Sequence, residues 1–179
     1  MFSIEPLPLS GAAVILLPHS EDSRGNFTKV FQDSVFLKNN LDFQLKESYY
    51  SFSHQNVIRG MHFQLPPAQH IKIVFCPKGS ILDTILDLRK ESTTYGKSYS
   101  TVLSSTNNKA LFIPEGFAHG FKSLENDSMT YYLVSSEYQQ EKDTGIKWDS
   151  FGMDWEIKNP IISERDNTFI DFKAFRSPF

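Results

Sequence analysis

The sequence lacks the features that mark several large classes of protein. Cys76 is the only cysteine among the 179 residues, so no disulfide can form within the chain, and its apolar surroundings (IKIVFCP) favour a buried, unreactive thiol. The net charge of −3 gives no electrostatic reason to expect a nucleic acid or a membrane surface as partner. The apolar patch at residues 12–17 is too short to cross a bilayer, and no basic leader precedes it. We therefore expect a cytoplasmic protein with no nucleic-acid or membrane partner.

Helical periodicity is also scarce. Short apolar or alternating segments follow one another along the chain, separated by breaks rich in Gly, Pro, Asn, Asp and Ser such as DSRGN, LPPAQ and STNNK. Aromatic residues make up 14% of the chain, which adds to the β preference. Only residues 33–41, capped by Asp33 or Ser34, and a turn after Ser163 predict helix. We expect one domain, residues 1–179, with an all-β fold: a jelly-roll barrel with one or two short peripheral helices and one small ligand cavity.

Residues 58–74, IRGMHFQLPPAQHIKIV, combine a strand, a tight turn and a second strand with an unusual number of titratable groups. Side chains alternate across a strand, so His62 and Lys72 can face one cavity from neighbouring strands. Gly60 predicts a bulge that brings Arg59 to the same side as His62. A histidine on a strand is often only a hydrogen-bonded structural residue, so this segment alone leaves function open.

A second histidine follows a Gly/Pro turn in the segment IPEGFAHGF, where the pattern Pro114-x-Gly116-x-x-His119 has the form of the second cupin motif. Cupin metal sites also draw a His-x-His pair from the first motif, but here that motif reads His62-Phe63-Gln64. His70 can replace the missing ligand only if the Pro66-Pro67 turn folds it inward. Two placed histidines fall short of the usual three or four ligands, so we expect no metal.

Tyrosines and carboxylates supply further candidates. Tyr131 and Tyr132 lie on opposite faces of one predicted strand, and alternation alone does not decide which faces the cavity. Asp83 and Asp87 occur in the apolar strand SILDTILDL, where an unpaired carboxylate is unfavourable. A buried aspartate close to a histidine orients the ring and stabilises its protonated form, and Asp166 in ISERD is a further candidate for that role.

Six segments recur in a specific order and spacing: DSRGNF, VIRGMHFQLPP followed by Lys72, LDLRKESTTYGK, LSSTNNKALFIPEGFAHGF, GIKWD and ISERD. Together they resemble the dTDP-4-dehydrorhamnose 3,5-epimerase family, the RmlC-like sugar-nucleotide epimerases of the cupin superfamily, from about Asp22 to Asp166. The resemblance implies a cupin-type barrel that needs no metal or organic cofactor. It also implies a homodimer, since family members pair through their sheets and share strand segments.

The resemblance assigns roles to particular residues. It implies that His62 is the catalytic base, Tyr132 the general acid, Asp166 the partner of the base, and Lys72 the contact to the substrate carbonyl region. It implies that Arg24, Arg59 and His119 bind the nucleotide diphosphate sugar, and that Arg165 stands where the family commonly has a substrate-contacting lysine.

Some positions depart from the family pattern. The family commonly has Glu at position 29, where this chain has Lys29, and a Q-x-N element where it has Glu47 and Tyr49. Asp143 stands where Glu is common. The first three positions lie in the region that the family uses for the nucleotide. We therefore predict a carrier or sugar other than dTDP-4-keto-6-deoxyglucose, and a CDP-linked 4-keto sugar is one option.

The expected function is epimerisation at carbon 3, carbon 5 or both of a nucleoside-diphosphate-linked 4-keto-6-deoxy sugar, in deoxysugar biosynthesis for a surface polysaccharide such as an O-antigen or for a glycosylated product. Three alternatives remain open from the sequence. They are a sugar-nucleotide ketoisomerase on the same barrel, a metal-dependent cupin enzyme, and a non-catalytic sugar-nucleotide binding module.

Overall fold

A computed structural model describes all residues, 1–179. The strands are β1 (Ser3–Pro6), β2 (Ala13–Leu16), β3 (His19–Asp22), β4 (Gly25–Thr28), β5 (Glu47–Ser53), β6 (Ile58–Gln64), β7 (Lys72–Lys78), β8 (Ser80–Asp87), β9 (Ser98–Ser104), β10 (Lys109–Ile113), β11 (Phe117–Ser123), β12 (Ser128–Val134) and β13 (Asp143–Gly145). The helices are α1 (Asp33–Lys38), α2 (Glu164–Asn167) and a 3₁₀ turn at Phe172–Ala174.

Two antiparallel sheets form the barrel. One has six strands in the order β1-β2-β10-β7-β12-β5, the other has five in the order β13-β6-β11-β8-β9, and β3 and β4 form a separate hairpin. Apolar side chains from both sheets pack between them, including Val74, Leu111, Ile85 and Phe121, and Cys76 is buried among them. The prediction of an all-β barrel with short peripheral helices is confirmed, and so is the buried thiol.

Apolar side chains also pack on the outer face of each sheet. On the six-stranded sheet, Phe36 of α1 packs with Ile15, Ile73 and Phe112. On the five-stranded sheet, the segment after β13 packs Trp155 against the same cluster as Met61 and Phe63. Because each sheet buries apolar residues on both faces, its strands read as nearly continuous apolar runs in the sequence.

The two helices match the sequence prediction in place but not fully in capping. In α1 the cap residue is Gln32, which has extended backbone angles and makes no side-chain capping bond, so the prediction of Asp33 or Ser34 as cap is wrong. Asp33 lies instead in the first turn, where its charge suits the helix dipole. The cap of α2 is Ser163 as predicted, and its hydroxyl accepts a hydrogen bond from the Asp166 amide. No helix is long and apolar enough to cross a membrane.

The predicted bulge at Gly60 is present. Pairing of β6 with β11 runs from His62–His119 to Arg59–Phe121, so β6 contains one residue more than its partner between these pairs. Gly60 has φ +139°, and a Cβ there would lie 2.5 Å from the Gly120 Cα. Only glycine allows this approach, and the extra residue turns Arg59 and His62 to one cavity.

Candidate active site

One cavity of about 340 Å³ opens between the two sheets. Eight of the residues singled out from the sequence line it: Glu47, Tyr49, Arg59, His62, Lys72, His119, Tyr132 and Asp143. The remaining lining residues are Ser51, Phe63, Gln64, His70, Val134, Ser136 and Tyr138. Strands from both sheets therefore supply charged and aromatic groups to one small volume, as binding sites in closed β structures do.

His62 forms a hydrogen-bonded pair with Asp166. The His62 Nε2 atom lies 2.9 Å from the Asp166 Oδ1 atom, and the other carboxylate oxygen accepts the Gly60 amide at 3.0 Å. Burial raises the pKa of Asp166, but hydrogen bonds from His62, Gly60 and Ser163 outweigh it and hold that pKa below its ordinary value. The carboxylate is thus charged and accepts from Nε2–H, which leaves the His62 Nδ1 atom, with no protein partner, as the basic nitrogen of the ring.

A second pair is more deeply buried. The His119 Nε2 atom lies 2.8 Å from the Asp83 Oδ2 atom, and both side chains are almost fully inaccessible to water. Burial lowers the pKa of His119 and raises that of Asp83, because each charged form loses its hydration. The His119 ring also meets the Tyr132 ring edge to face, with 5.8 Å between centroids.

Lys72 places a nearly buried ammonium in the cavity. The residue is 6% exposed, and its Nζ donates to the His62 carbonyl oxygen at 3.3 Å. Desolvation lowers the pKa of Lys72 to about 8, although the charges of Asp143 and Asp83 oppose the shift. At neutral pH most of this side chain remains charged, and a charge in such a dry site acts strongly on a neighbouring oxygen.

Tyr132 is the tyrosine that faces the cavity. Its ring stacks on Tyr49 with 4.6 Å between centroids, while Tyr131 stacks outside the barrel on Phe75. Burial raises the pKa of Tyr132 well above its ordinary value, and the neighbouring Tyr49 adds to the shift. The phenol therefore keeps its proton at neutral pH and can donate it.

Comparison with known proteins assigns the chain to a family. The family model described as dTDP-4-dehydrorhamnose 3,5-epimerase matches residues 6–174. The chain belongs to the dTDP-4-dehydrorhamnose 3,5-epimerase family. The prediction from the sequence motifs is therefore confirmed for the family.

Individual members of the dTDP-4-dehydrorhamnose 3,5-epimerase family are similar along nearly the whole chain. The enzyme of that name from Sinorhizobium fredii is 40% identical over 151 residues, 82% of this chain and 77% of its own. The crystal structure of the Sulfolobus tokodaii enzyme has a TM-score of 0.91 at 38% identity and covers 97% of this chain and 96% of its own. ChmJ from Streptomyces bikiniensis, a 3'-monoepimerase solved with dTDP-quinovose, has a TM-score of 0.88 at 26% identity, covering 93% and 86%.

Three residues predicted to bind substrate do not line the cavity of their own chain. Arg24 lies on the exposed β3–β4 hairpin and forms an ion pair with Asp22 at 2.6 Å. Lys29 follows the same hairpin and is also exposed. Arg165 donates to Asp143 at 2.6 Å, so it reaches the cavity only through that carboxylate.

Two other cavity features were not predicted. Gln64 stands at the centre of a polar cluster: its amide oxygen accepts the Gln139 amide at 2.6 Å, and its amide nitrogen lies 2.9 Å from the Ala68 oxygen. Tyr138 lines the mouth, and its amide donates to the Glu47 carboxylate at 2.7 Å. The i+2 spacing of Gln64 from His62 predicts that both face the cavity, so the sequence does contain a signal for Gln64. Tyr138 lies in a loop, where the sequence contains no periodicity that indicates which way a side chain faces.

His70, considered above as a metal ligand, is folded inward and lines the cavity. Its Nδ1 atom lies 3.0 Å from the Gln64 amide nitrogen, so that ring nitrogen already has a partner. No group of three or more His, Cys, Asp or Glu side chains has an arrangement that could hold a metal ion.

Proposed function

We propose that this chain inverts carbon 3, carbon 5 or both of a nucleoside-diphosphate-linked 4-keto-6-deoxy sugar, by removing and returning a proton through an enolate. The observation that carries the proposal is that His62, paired with Asp166, shares one small cavity with Lys72 and Tyr132. Family membership supports the same chemistry.

His62 is the proposed base. A ketone at carbon 4 makes the C–H bonds at carbons 3 and 5 acidic, because the electrons left behind move into the carbonyl. In this step the His62 Nδ1 atom takes the proton, the C–H pair forms a C=C bond, and the ketone oxygen becomes an enolate. The negative charge of Asp166 stabilises the imidazolium that forms.

Lys72 is the proposed stabiliser of the enolate oxygen. Its ammonium is fixed in a site from which water is nearly excluded. A charge aimed at a developing oxyanion in such a site is worth about 3–4 kcal/mol of barrier in comparable cases. Lys72 therefore lowers the barrier without taking a proton itself.

Tyr132 is the proposed acid that completes inversion. Inversion requires that the proton return to the opposite face of the ring, so the acid cannot be the base. Tyr132 belongs to the six-stranded sheet and His62 to the five-stranded sheet, so the two groups approach the cavity from opposite walls. The protonated phenol then gives its proton to carbon and the enolate returns to the ketone.

The remaining cavity residues among those predicted are proposed to bind the nucleotide-linked sugar. Arg59, His119, Glu47, Tyr49 and Asp143 line the cavity around the proton-transfer groups. Lys29, Glu47 and Tyr49 depart from the family pattern, and on that ground we still predict a carrier or sugar other than dTDP-4-keto-6-deoxyglucose. The names of the relatives, in contrast, specify dTDP. The single domain over residues 1–179 and the cytoplasmic location also remain predictions.

We also propose a homodimer in which each subunit completes the site of the other. If Arg24 binds substrate as the family resemblance implies, it does so in another subunit, because it pairs with Asp22 and does not line the cavity of its own chain. The outer strand β5 exposes Tyr50 and Phe52, which is unfavourable for an edge strand that remains unpaired. Pairing of two copies along this sheet covers both residues.

Product analysis tests the proposed function. The wild-type protein is incubated with dTDP-, CDP-, UDP- and GDP-linked 4-keto-6-deoxy sugars, and the products are examined by NMR. We expect inverted configuration with the ketone still at carbon 4, and undiminished turnover in chelator. A ketone moved to another carbon indicates a ketoisomerase, loss of turnover in chelator indicates a metal enzyme, and binding without turnover indicates a binding module. A clear preference for dTDP would refute the predicted change of carrier.

A further inference from the structure

His70 is a half-buried cavity residue without a role in the mechanism above. It lies in the turn between β6 and β7, and its ring lines the same cavity as Lys72 and His62. Gln64, two residues along β6 from His62, holds the ring in place through its amide group. The opposite edge of the ring, which carries the Nε2 atom, has no assigned role.

The hydrogen bonds of Gln64 fix which ring nitrogen of His70 carries the proton. The Gln64 amide oxygen accepts a backbone N–H from Gln139, so the amide nitrogen must point the other way. The two shortest contacts of that nitrogen are to the Ala68 oxygen at 2.9 Å and to the His70 Nδ1 atom at 3.0 Å. An amide nitrogen only donates, so Nδ1 of His70 accepts, and the proton of the neutral ring is on Nε2.

The ring stays neutral across the working range of pH. Burial lowers the pKa of His70 to about 3, and the charge of Lys72 adds to the shift. His70 is therefore a fixed hydrogen-bond donor rather than an acid or a base. Its Nε2 atom is almost inaccessible to solvent and has no hydrogen-bond partner in the protein, so a small rotation of the ring accompanies any contact between this atom and a ligand. A buried donor without a partner is rare in folded proteins and calls for an explanation, such as a water or a ligand that supplies the missing acceptor.

We propose that His70 is a further substrate-binding residue, whose Nε2–H group donates a hydrogen bond to an oxygen of the sugar. The sugar rather than the nucleotide is inferred because Lys72, which lines both the cavity and the small void beside His70, is assigned to the ketone. A donor matched to one oxygen also selects against sugars that lack it, because binding such a sugar leaves the donor without a partner. This inference rests on the proposed function.

Steady-state kinetics of two substitutions test the role. His70→Leu removes the donor, and we expect kcat/KM to fall about 10- to 100-fold. His70→Gln keeps a neutral N–H donor, and we expect it to recover most of that loss with the same pH limbs as the wild type. A His70→Leu variant within about twofold of the wild type, or a Gln variant no better than the Leu variant, overturns the proposal. Wild-type turnover is measured alongside, since its absence contradicts the proposed function and not the role of His70.

Nitrogen NMR on wild-type protein labelled with ¹⁵N-histidine tests the contact without a substitution. We expect the His70 Nε2 signal to be that of a protonated, neutral ring, to move on addition of dTDP-glucose, and to remain unchanged with dTDP alone. The CDP pair replaces the dTDP pair if CDP-linked sugars are the better substrates. A void of about 10 Å³ beside His70 is on the scale of one water molecule. A signal unchanged by the sugar nucleotide overturns the proposal and leaves such a water as the remaining partner for Nε2.

Discussion

At the scale of single residues, the site contains a charged side chain whose burial destabilises the folded state. Lys72 is held in a nearly dry cavity because an enolate needs a charge aimed at its oxygen, yet burial of an ammonium destabilises the folded chain. The folded pKa of about 8 lies below the ordinary value of 10.5, so the folded state binds this proton less tightly than the unfolded state does. This destabilisation is fully present below pH 8 and disappears as the pH rises towards 10.5.

We expect Lys72→Met to stabilise the fold while abolishing activity. Removal of the buried charge should raise the free energy of unfolding at pH 7 by about 1–3 kcal/mol, and the gain should shrink towards pH 10. Urea unfolding at both pH values measures it. Lys78→Met is the matched control on the same strand, because Lys78 is exposed and its loss should change stability by less than about 0.5 kcal/mol. A destabilised Lys72→Met variant at pH 7 would contradict the account.

Tyr132 and Tyr131 form a matched pair for testing the acid. Tyr132→Phe should slow inversion far more than it slows exchange of the substrate proton with solvent, because removal of the proton does not need the phenol. Tyr131→Phe should leave both rates unchanged, since Tyr131 stacks on Phe75 outside the barrel. Deuterium exchange and product formation are followed in the same NMR sample. Equal loss of both rates in Tyr132→Phe would contradict the role of acid.

These tyrosines also show what the sequence can predict at this scale. The sequence motifs identified His62, Lys72 and Tyr132 as site residues, and all three line one cavity. Alternation could not choose between the two tyrosines, because it fixes which residues share a face and not which face is inside. His70 shows the same limit, since only the folded path of its turn decides that the ring points inward.

At the scale of structural elements, the close antiparallel pairing of β6 and β11 holds the base in place. Gly60 allows the two backbones to approach, and its amide binds the Asp166 carboxylate that orients His62. A side chain at position 60 meets backbone rather than a flexible side chain, so the strands must separate. The same glycine thus serves packing and the site.

We expect Gly60→Ala to destabilise the fold by about 3 kcal/mol or more and to reduce activity in the protein that remains folded. Gly152→Ala is the control: Gly152 also has a positive φ, +85°, but no atom lies within 4 Å of the added carbon. It should lose only about 1 kcal/mol from backbone strain alone. Urea unfolding separates the two, and equal losses would show that the contact with Gly120 is not what constrains β6.

Most strands could be predicted from short apolar runs between turn residues, but element ends could not. The motif segment GIKWD is mostly irregular, because β13 is only the three residues Asp143–Gly145, which pair with β6. Pairing with a neighbour fixes that strand more than its own composition does. The α1 cap differs as well, since the helix begins at Asp33 itself and Gln32 is its cap.

At the scale of the whole molecule, one chain does not bring together every residue that the family resemblance implies for the site. Arg24 and Lys29 are exposed on or just after the β3–β4 hairpin, and neither lines the cavity of its own chain. A single sequence cannot predict this, because motif matching assigns a residue to a site without saying whose site it is. The proposed homodimer accounts for both residues.

We expect activity to return when two inactive variants share a dimer. In a mixed dimer of Arg24→Ala and His62→Ala, one cavity has an intact His62 and an intact partner Arg24, so about a quarter of all sites should be active after random assortment. Co-expression with two affinity tags, followed by an activity assay, measures this. The pair His62→Ala and Lys72→Met is the control and should stay inactive, because both residues act in their own chain. Absence of recovery in the first pair would contradict the shared site.

Solvent exchange tests the central claim most directly, that the His62 ring removes a proton from carbon next to the ketone. The wild-type protein and His62→Ala are incubated in heavy water with the 4-keto sugar nucleotide that the wild type turns over, and deuterium is located by NMR. We predict deuterium at carbon 3, carbon 5 or both with the wild type, and none above the uncatalysed level with His62→Ala. Exchange at the wild-type rate in His62→Ala would contradict the assignment of the base and the mechanism built on it.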